Sequence, residues 1–583
     1  ALRGLPTLKW DQPEAFFDRL AVKRALLPAL DGEIYLEYHR GTFTTQSKVK
    51  SHFRDLERAL QAHEAALVAT NRAPAHRSLG EGGDLAHAWR RMVFAQFHDY
   101  IPGSAIPEVY VKGLPELAQL TREQTAAALR EVERVAPNAL KRRAQTKRVE
   151  GNTLHLEACL FNTLPFARRC VVAGKVVDLP PLAGVRLRDA LVPTSSSEAS
   201  LLPSPSSLLP RSPSFLLPAP CSVSVRNRTL TNGRVTARLT ASGELAALTV
   251  DGRAVELSAG AGRLVAYPDH AANFGPWDID RSALSLGQPA HGPAKFTNGT
   301  DFIAVTRKLG AASTATVRYA LEPGASVLRL TVELDYHEEN SLLKLHFPTA
   351  YRGREVRCGT PFGSVLRPQL ATTREAEAMF EWPMSRWATV SSEGERSGLF
   401  ALTEAKYGVS VRDGDLAITL LRTPKHVGYE DHGRAYPQQL SRLPKPDTIY
   451  TDLGRHTIEL ALGIYDLAAP RAEQPAALAE NLFTPPLAYR GAPIASAFRG
   501  LECGETLLPH WAQPQSRNRW VLRLHEIAGQ RGTAKLQLAP GWTARKTDLL
   551  GRPLAAQLRN GRLAFAPYEI ISLQLTRPTT TDS

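Results

Sequence analysis

With 583 residues, 43% of them hydrophobic, and a formal net charge of +14, the chain has the composition of a globular protein with room for three or four domains. No run approaches the roughly 18 consecutive apolar residues that a membrane helix needs, and the opening Ala1-Leu2-Arg3-Gly4 carries no n-region, apolar h-region or cleavage site, so no membrane span is expected. The basic excess invites a nucleic-acid reading, but only Lys141-Arg142-Arg143 through Lys147-Arg148 is dense. The other arginines are spread singly along strands and turns. Solvated surface charge accounts for them, and nucleic acid is not expected as a partner.

Residues 14–38 read as one αβ unit: a helix from Glu14 to Leu30, a turn at Asp31-Gly32, and a strand from Glu33 to Tyr38. One such unit cannot close its own sheet, so residues 1–40 are expected to be the end of a larger α/β domain. From Gln46 the period changes, and Val49, Phe53, Leu56, Leu60, His63 and Leu67 fall on one helical stripe. A second helix is expected from Asp84, its N-cap, to Tyr100, where Pro102-Gly103 stops it, and a third from about Pro115 to Val135. Together these make residues 41–150 a three-helix bundle.

After Leu154 the pattern alternates. Ser326–Glu333, Leu416–Leu421 and His456–Gly463 read as strands, and Asn232-Gly233, Asp251-Gly252, Asp413-Gly414 and Asn560-Gly561 as hairpin turns. Residues 151–465 are therefore expected to form a large antiparallel β-sandwich domain. A break rich in Ala and Pro near 466–500 separates it from a final β domain, 466–583. The near-repeat of Leu-Leu-Pro and Ser-Pro between residues 194 and 220 reads as a disordered insertion, because Pro blocks both helix and central strand pairing.

Two stretches carry residues suited to chemistry. In Gln96-Phe97-His98-Asp99-Tyr100, stepping on by four from the stripe Leu85, Ala88, Met92, Ala95 places Asp99 on the same inward face. A buried carboxylate is therefore expected in the last helical turn, at the negative end of the helix dipole, where a metal or an Arg must offset it. His98 beside it can offer a ring nitrogen to a metal, or can simply cap the helix. The second stretch, Leu36 to Gln46, joins aromatic rings, a guanidinium, a Gly and three Thr hydroxyls at a strand end. Such a mixture suits a sugar, and Thr44 or Thr45 would equally serve as an N-cap.

Gly32 to Gln46, followed by Gln96-Phe97-His98-Asp99-Tyr100-Ile101-Pro102-Gly103-Ser104, resembles glycoside hydrolase family 38, the α-mannosidases, in its bacterial form. The resemblance continues in order through Leu160-Phe161-Asn162-Thr163-Leu164-Pro165, Trp277-Asp278-Ile279-Asp280, Pro361-Phe362-Gly363, Ala405-Lys406-Tyr407-Gly408, Leu420-Leu421-Arg422-Thr423-Pro424, Arg523-Leu524-His525-Glu526 and Thr547-Asp548-Leu549-Leu550-Gly551. It implies an exo-acting, retaining, zinc-dependent enzyme that cleaves terminal α-mannosides through a covalent mannosyl intermediate. It also implies that His98 is the last of four zinc ligands, that Asp99 contacts substrate, and that His39 stands where related enzymes place an aromatic against the sugar. Tyr38 and Arg40 are candidates through their position beside His39. The family's other zinc ligands, its aspartate nucleophile and its acid/base carboxylate belong to an N-terminal catalytic domain that nothing here matches. No catalytic residue is therefore assigned, and the chain is expected to be a fragment without turnover of its own.

The rival reading is a non-catalytic carbohydrate-binding or scaffold protein built from the same helical and β domains. An upstream barrel with a His-x-Asp pair would distinguish the enzyme. Five scattered cysteines without a C-x-x-C pair argue against a disulfide framework and fit a cytoplasmic setting. A homo-oligomer is compatible with the sequence.

Overall fold

The computed structural model describes residues 10–30, 33–74, 84–135, 158–192, 222–270, 274–392, 394, 397–429 and 447–578. The basic run at 141–148 and the proline-rich stretch at 194–220 lie outside the described residues. The chain divides into two compact units, residues 1–37 and residues 38–583.

In the first unit, helix α1 spans Pro13–Ala21 with Pro at its start and buries none of its side chains. A single 3₁₀ turn, Arg24–Leu26, follows. The helix expected to reach Leu30 thus stops nine residues early. Pro28 lacks an amide hydrogen and holds Leu27 in extended backbone, and with no side chain of α1 buried, no packing offsets the cost of helix there. The strand expected at Glu33–Tyr38 is absent, and residues 33–38 run as coil and turn. No strand among the described residues pairs with them, and an unpaired strand leaves its ladder groups unmet.

The second unit opens with helices α2 (Ser47–Ala69), α3 (Leu85–Phe94) and α4 (Pro107–Arg134). The predicted stripe of α2 is buried and meets Leu85, Ala88 and Met92 of α3 and Tyr110, Leu117 and Leu120 of α4 in one apolar cluster. Asp84 caps α3 as its sequence suggests, accepting from the amides of Ala86 at 2.9 Å and His87 at 3.2 Å. Helix α4 begins at Pro107, eight residues before the expected start, and runs straight through Pro115. Packing decides against propensity there. Tyr110 is buried against Tyr100, and a Cβ at Gly113 would sit 1.8 Å from the Tyr100 hydroxyl, so the turns before Pro115 are clamped, outweighing its roughly 3 kcal/mol cost.

The remainder is antiparallel sheet. A nine-stranded sheet runs, in spatial order, His291–Asn298, Phe302–Leu309, Ser313–Ala320, Leu328–Tyr336, Gly454–Asp466, Ser397–Thr403, Trp387–Ser391, Glu355–Thr360, Gly363–Pro368. A six-stranded sheet has Ser341–Pro348 and Asp415–Arg422 at its centre. Strand Leu328–Tyr336 alternates buried residues with partly buried or exposed ones, whereas Asp415–Arg422 is buried along almost its whole length, the mark of a strand covered on both faces. Asp251-Gly252 and Asp413-Gly414 hold positive φ at both residues, as type I′ turns require. Asn560-Gly561 is not a hairpin: Pro553–Gln557 pairs with Thr543–Thr547, while Arg562–Phe565 pairs with Gly532–Leu538 in another sheet. The turn carries the chain across from one sheet to the other.

Glu64 of α2 joins the helices to the last β region. It is 3% exposed and accepts from the indole of Trp89 on α3 at 3.1 Å and from that of Trp511 in strand Leu507–Ser516. Burial pushes its pKa up to about 7, against the two indole hydrogen bonds and the Arg523 charge. Folding therefore favours the protonated acid. This contribution is greatest below the unfolded pKa of about 4.5, declines as pH rises toward 7, and is gone above it. The stability of the native chain relative to Glu64→Gln is expected to fall by up to about 1.4 kcal/mol per pH unit between pH 5 and 7 and to level off above pH 8. Denaturant titrations of both proteins across that range check this; a difference that stays constant with pH would count against the buried charge.

Candidate functional site

The two chemistry-bearing stretches meet in the second unit. After Phe94 the amides of Gln96, Phe97, Tyr100 and Gly103 each bond the carbonyl three residues back, so the chain tightens from α-helix to a series of turns. Each residue then advances about 20° further around the axis than in an α-helix, and Asp99 leaves the inward stripe that it would otherwise continue. The expectation of a buried helical carboxylate is thereby corrected: the Asp99 side chain is 44% exposed and that of His98 is 76% exposed. His98 Nε2 lies 3.3 Å from Asp99 Oδ2, and its ring packs on Phe97 with centroids 4.2 Å apart. Asp99 Oδ1 accepts from Ser104 Oγ at 3.2 Å, and its carbonyl accepts from the Tyr110 hydroxyl at 3.0 Å.

The other stretch forms a 3₁₀ turn, Arg40–Phe43, then a left-handed Gln46 that launches α2. Neither Thr44 nor Thr45 caps the helix. Asp452, distant in sequence, accepts from the Ser47 amide at 2.9 Å and from Ser47 Oγ at 2.9 Å. Thr45 instead accepts from Arg422 Nη1 at 2.8 Å. Arg422 is fully buried with Asp269, Nε to Oδ2 at 2.8 Å, and its Nη2 donates to the carbonyls of Gly275 at 3.0 Å and Asp278 at 2.6 Å. Gly41 is required beside it, since a Cβ there would lie 1.8 Å from that guanidinium.

Arg40 also belongs to this docking. It donates to the Ala378 carbonyl at 2.9 Å and to Asp278 at 3.2 Å, and its guanidinium lies over the Phe380 ring. His39 is half-buried, with Nδ1 enclosed and lacking a hydrogen-bond partner. Tyr38 is 72% exposed. No hydrogen bond or ring contact joins His39 or Tyr38 to His98 or Asp99.

What brings the stretches together is Lys50, which the sequence reading passed over. Its ammonium donates to the carbonyls of Thr45 at 2.6 Å, Ile101 at 2.8 Å and Pro102 at 3.2 Å, matching its three N–H bonds. Burial draws its pKa down to about 7 against the pull of Asp452. Gly103, at φ +92, fits where a Cβ would meet the Thr45 carbonyl at 2.4 Å. A signal existed: Lys50, Arg54 and Gln61, spaced by four and seven, form a second inward stripe of α2, and all three are buried.

Among the described residues no three His, Cys, Asp or Glu side chains gather to hold a metal ion. His98 is presented at the surface with one carboxylate beside it. That fits a share of a metal's shell and not the four ligands that zinc takes. A cavity of about 610 Å³ elsewhere in the chain includes none of the five candidate residues.

Three family models match the chain in order: "Alpha mannosidase middle domain" over residues 37–136, "Glycosyl hydrolases family 38 C-terminal domain" over 230–446, and "Glycosyl hydrolases family 38 C-terminal beta sandwich domain" over 510–573. The chain belongs to glycoside hydrolase family 38. Its family relatives include alpha-mannosidase 2C1 of Homo sapiens, 29% identical over 98% of this chain and 53% of that protein. Another is an alpha-mannosidase of Saccharomyces cerevisiae, 23% identical over 75% of this chain and 36% of that protein. The chain thus spans about half, or less, of the length of these relatives. An alpha-mannosidase structure from Enterococcus faecalis shares the fold, with TM-score 0.65 at 14% identity over 96% of this chain and 72% of that one. No helix among the described residues is long and apolar enough to cross a membrane.

The family motif at Leu420–Pro424 thus contains the Arg422 anchor. Replacing Arg422 with Met leaves Asp269 buried and uncompensated, and is expected to cost about 3–5 kcal/mol in the unfolding of the β region. Arg422→Met with Asp269→Asn should recover part of that loss, because the unpaired charge goes with it. Denaturation curves of both variants check this; a double variant as unstable as the sum of two single losses would contradict the pairing.

Proposed function

We propose that the chain is the downstream part of a zinc-dependent, retaining α-mannosidase acting on terminal α-mannosides, and that it contributes the rim of the sugar pocket. The observation that carries this reading is the presentation of His98. It stands exposed beside Asp99 on a turn held by Lys50, next to Val93, Phe94 and Phe97, apolar side chains that are each more than half exposed. Apolar side chains crowded around a polar pair suit a surface that meets another domain. In the relatives that reach beyond this chain, the unmatched half of the protein is the natural source of that domain.

In this reading His98 lends one imidazole nitrogen to a zinc shell whose other ligands lie outside the chain. Zinc, when bound, would hold hydroxyls of the mannose ring. Asp99, steadied by Ser104, accepts from a sugar hydroxyl, and Asp99 and His98 orient each other. His39, with an enclosed nitrogen still unsatisfied, faces the sugar with its ring. Arg40 acts behind the site, since its donors are engaged with Ala378 and Asp278. A retaining glycosidase also needs two carboxyl groups about 5–5.5 Å apart across the scissile bond, and the proposal assigns both to the unmatched half.

Two measurements test this. The purified chain is expected to show no turnover of an aryl α-mannoside, and robust turnover that copurifies with it would overturn the division of labour. With the chain joined to a family 38 catalytic domain, His98→Ala is expected to lose zinc and at least about 10–100-fold in activity. Asp99→Asn, in contrast, is expected to keep its zinc while kcat/KM falls. Full zinc and near-native rates in His98→Ala would return His98 to a helix-terminal histidine.

A further inference from the structure

The loop Ala405-Lys406-Tyr407-Gly408 is among the stretches that carry the family resemblance, yet Lys406 has no part in the candidate site. Its side chain is 7% exposed. Among the described residues no hydrogen-bond acceptor or carboxylate contacts its ammonium, and Asp452 and Glu404 act on it only from further off. An ammonium so buried is unfavourable unless an anion meets it. Lys406 lines a cavity of about 180 Å³ at the N-terminal end of α2, together with Lys48, His52, Arg455 and His456.

The carboxylates around this cavity are committed elsewhere. Glu404 pairs with Arg58. Glu459 accepts from Thr331 Oγ1 at 3.0 Å and lies 3.6 Å from Arg329. Asp452 accepts from the backbone and hydroxyl of Ser47, so it already answers the positive end of the α2 dipole. What remains along the cavity lining are the basic side chains of Lys406, Lys48 and Arg455. Burial lowers Lys406 to about 8, and burial first, with Lys406 and Lys48 adding to it, pushes His456 down against the pull of Asp452.

We propose that this cavity binds a small oxyanion of the phosphate class, held from within by Lys406 and from the rim by Lys48 and Arg455. A lysine ammonium is a compact point charge that suits phosphate oxygen. The cavity is smaller than the roughly 300–1,000 Å³ of sites that enclose drug-sized ligands, which favours a single phosphate group over an oligosaccharide. The site does not depend on the roles proposed for His98 and Asp99.

The test is calorimetric titration of the chain with inorganic phosphate, at ionic strength held constant with chloride, repeated with a hexose monophosphate. Saturable one-to-one binding is expected, weakened at least about tenfold in Lys406→Met and several-fold in Lys48→Ala/Arg455→Ala. Both residues of the double variant are exposed, so it keeps the question answerable if Lys406→Met does not fold. A hexose monophosphate that binds more tightly than phosphate assigns the site to phosphorylated sugar, and equal or weaker binding assigns it to the free ion. Absence of saturable binding to either probe, or binding that neither variant weakens, overturns the proposal.

Discussion

The buried ion pair of Arg422 and Asp269 is the constraint on which the arrangement of the site depends. A guanidinium without solvent needs acceptors for its donors, and besides Asp269 these come from well-separated parts of the chain: Thr45, Gly275 and Asp278. The guanidinium therefore ties the segment before α2 to the six-stranded sheet. Gly41 is small because the guanidinium occupies the space where a Cβ would be. Arg40 extends the same seam through Asp278 and Ala378.

From that seam, order passes to the second stretch through Lys50. Its three carbonyl partners belong to both segments, so the turn bearing His98 and Asp99 is held by backbone and leaves those side chains open. Helix α3 is fixed at its other end by the Asp84 cap and along its length by Trp89 on Glu64. The acidic and basic groups buried in α2 thus act as structural joints between helices and sheets, while the groups offered for chemistry stay at the surface.

The Lys406 cavity lies at the N-terminal end of α2. Asp452 caps α2 and acts on Lys50, Lys406 and His456 together. An anion entering that cavity would act on the same charges that hold the N-terminal end of α2, which links the proposed phosphate site electrostatically to the element carrying Lys50.

The sequence by itself determined the elements whose signals are local. The α2 stripe, the Asp84 cap, the type I′ turns at Asp251-Gly252 and Asp413-Gly414, and the long alternating strands all depend on neighbours a few residues away. Its resemblance to the family also singled out His98 and Asp99 as candidates. Only the tertiary structure decided how those residues are presented. Asp99 is turned out by a tightening of the chain after Phe94, α4 begins before Pro115 because Tyr100 and Tyr110 clamp it, and Glu33–Tyr38 is not a strand because no strand among the described residues pairs with it. The anchoring roles of Lys50 and Arg422 were equally hidden. Their partners are backbone carbonyls and a carboxylate brought together by folding, and a carbonyl leaves no trace in the identity of the residue that carries it.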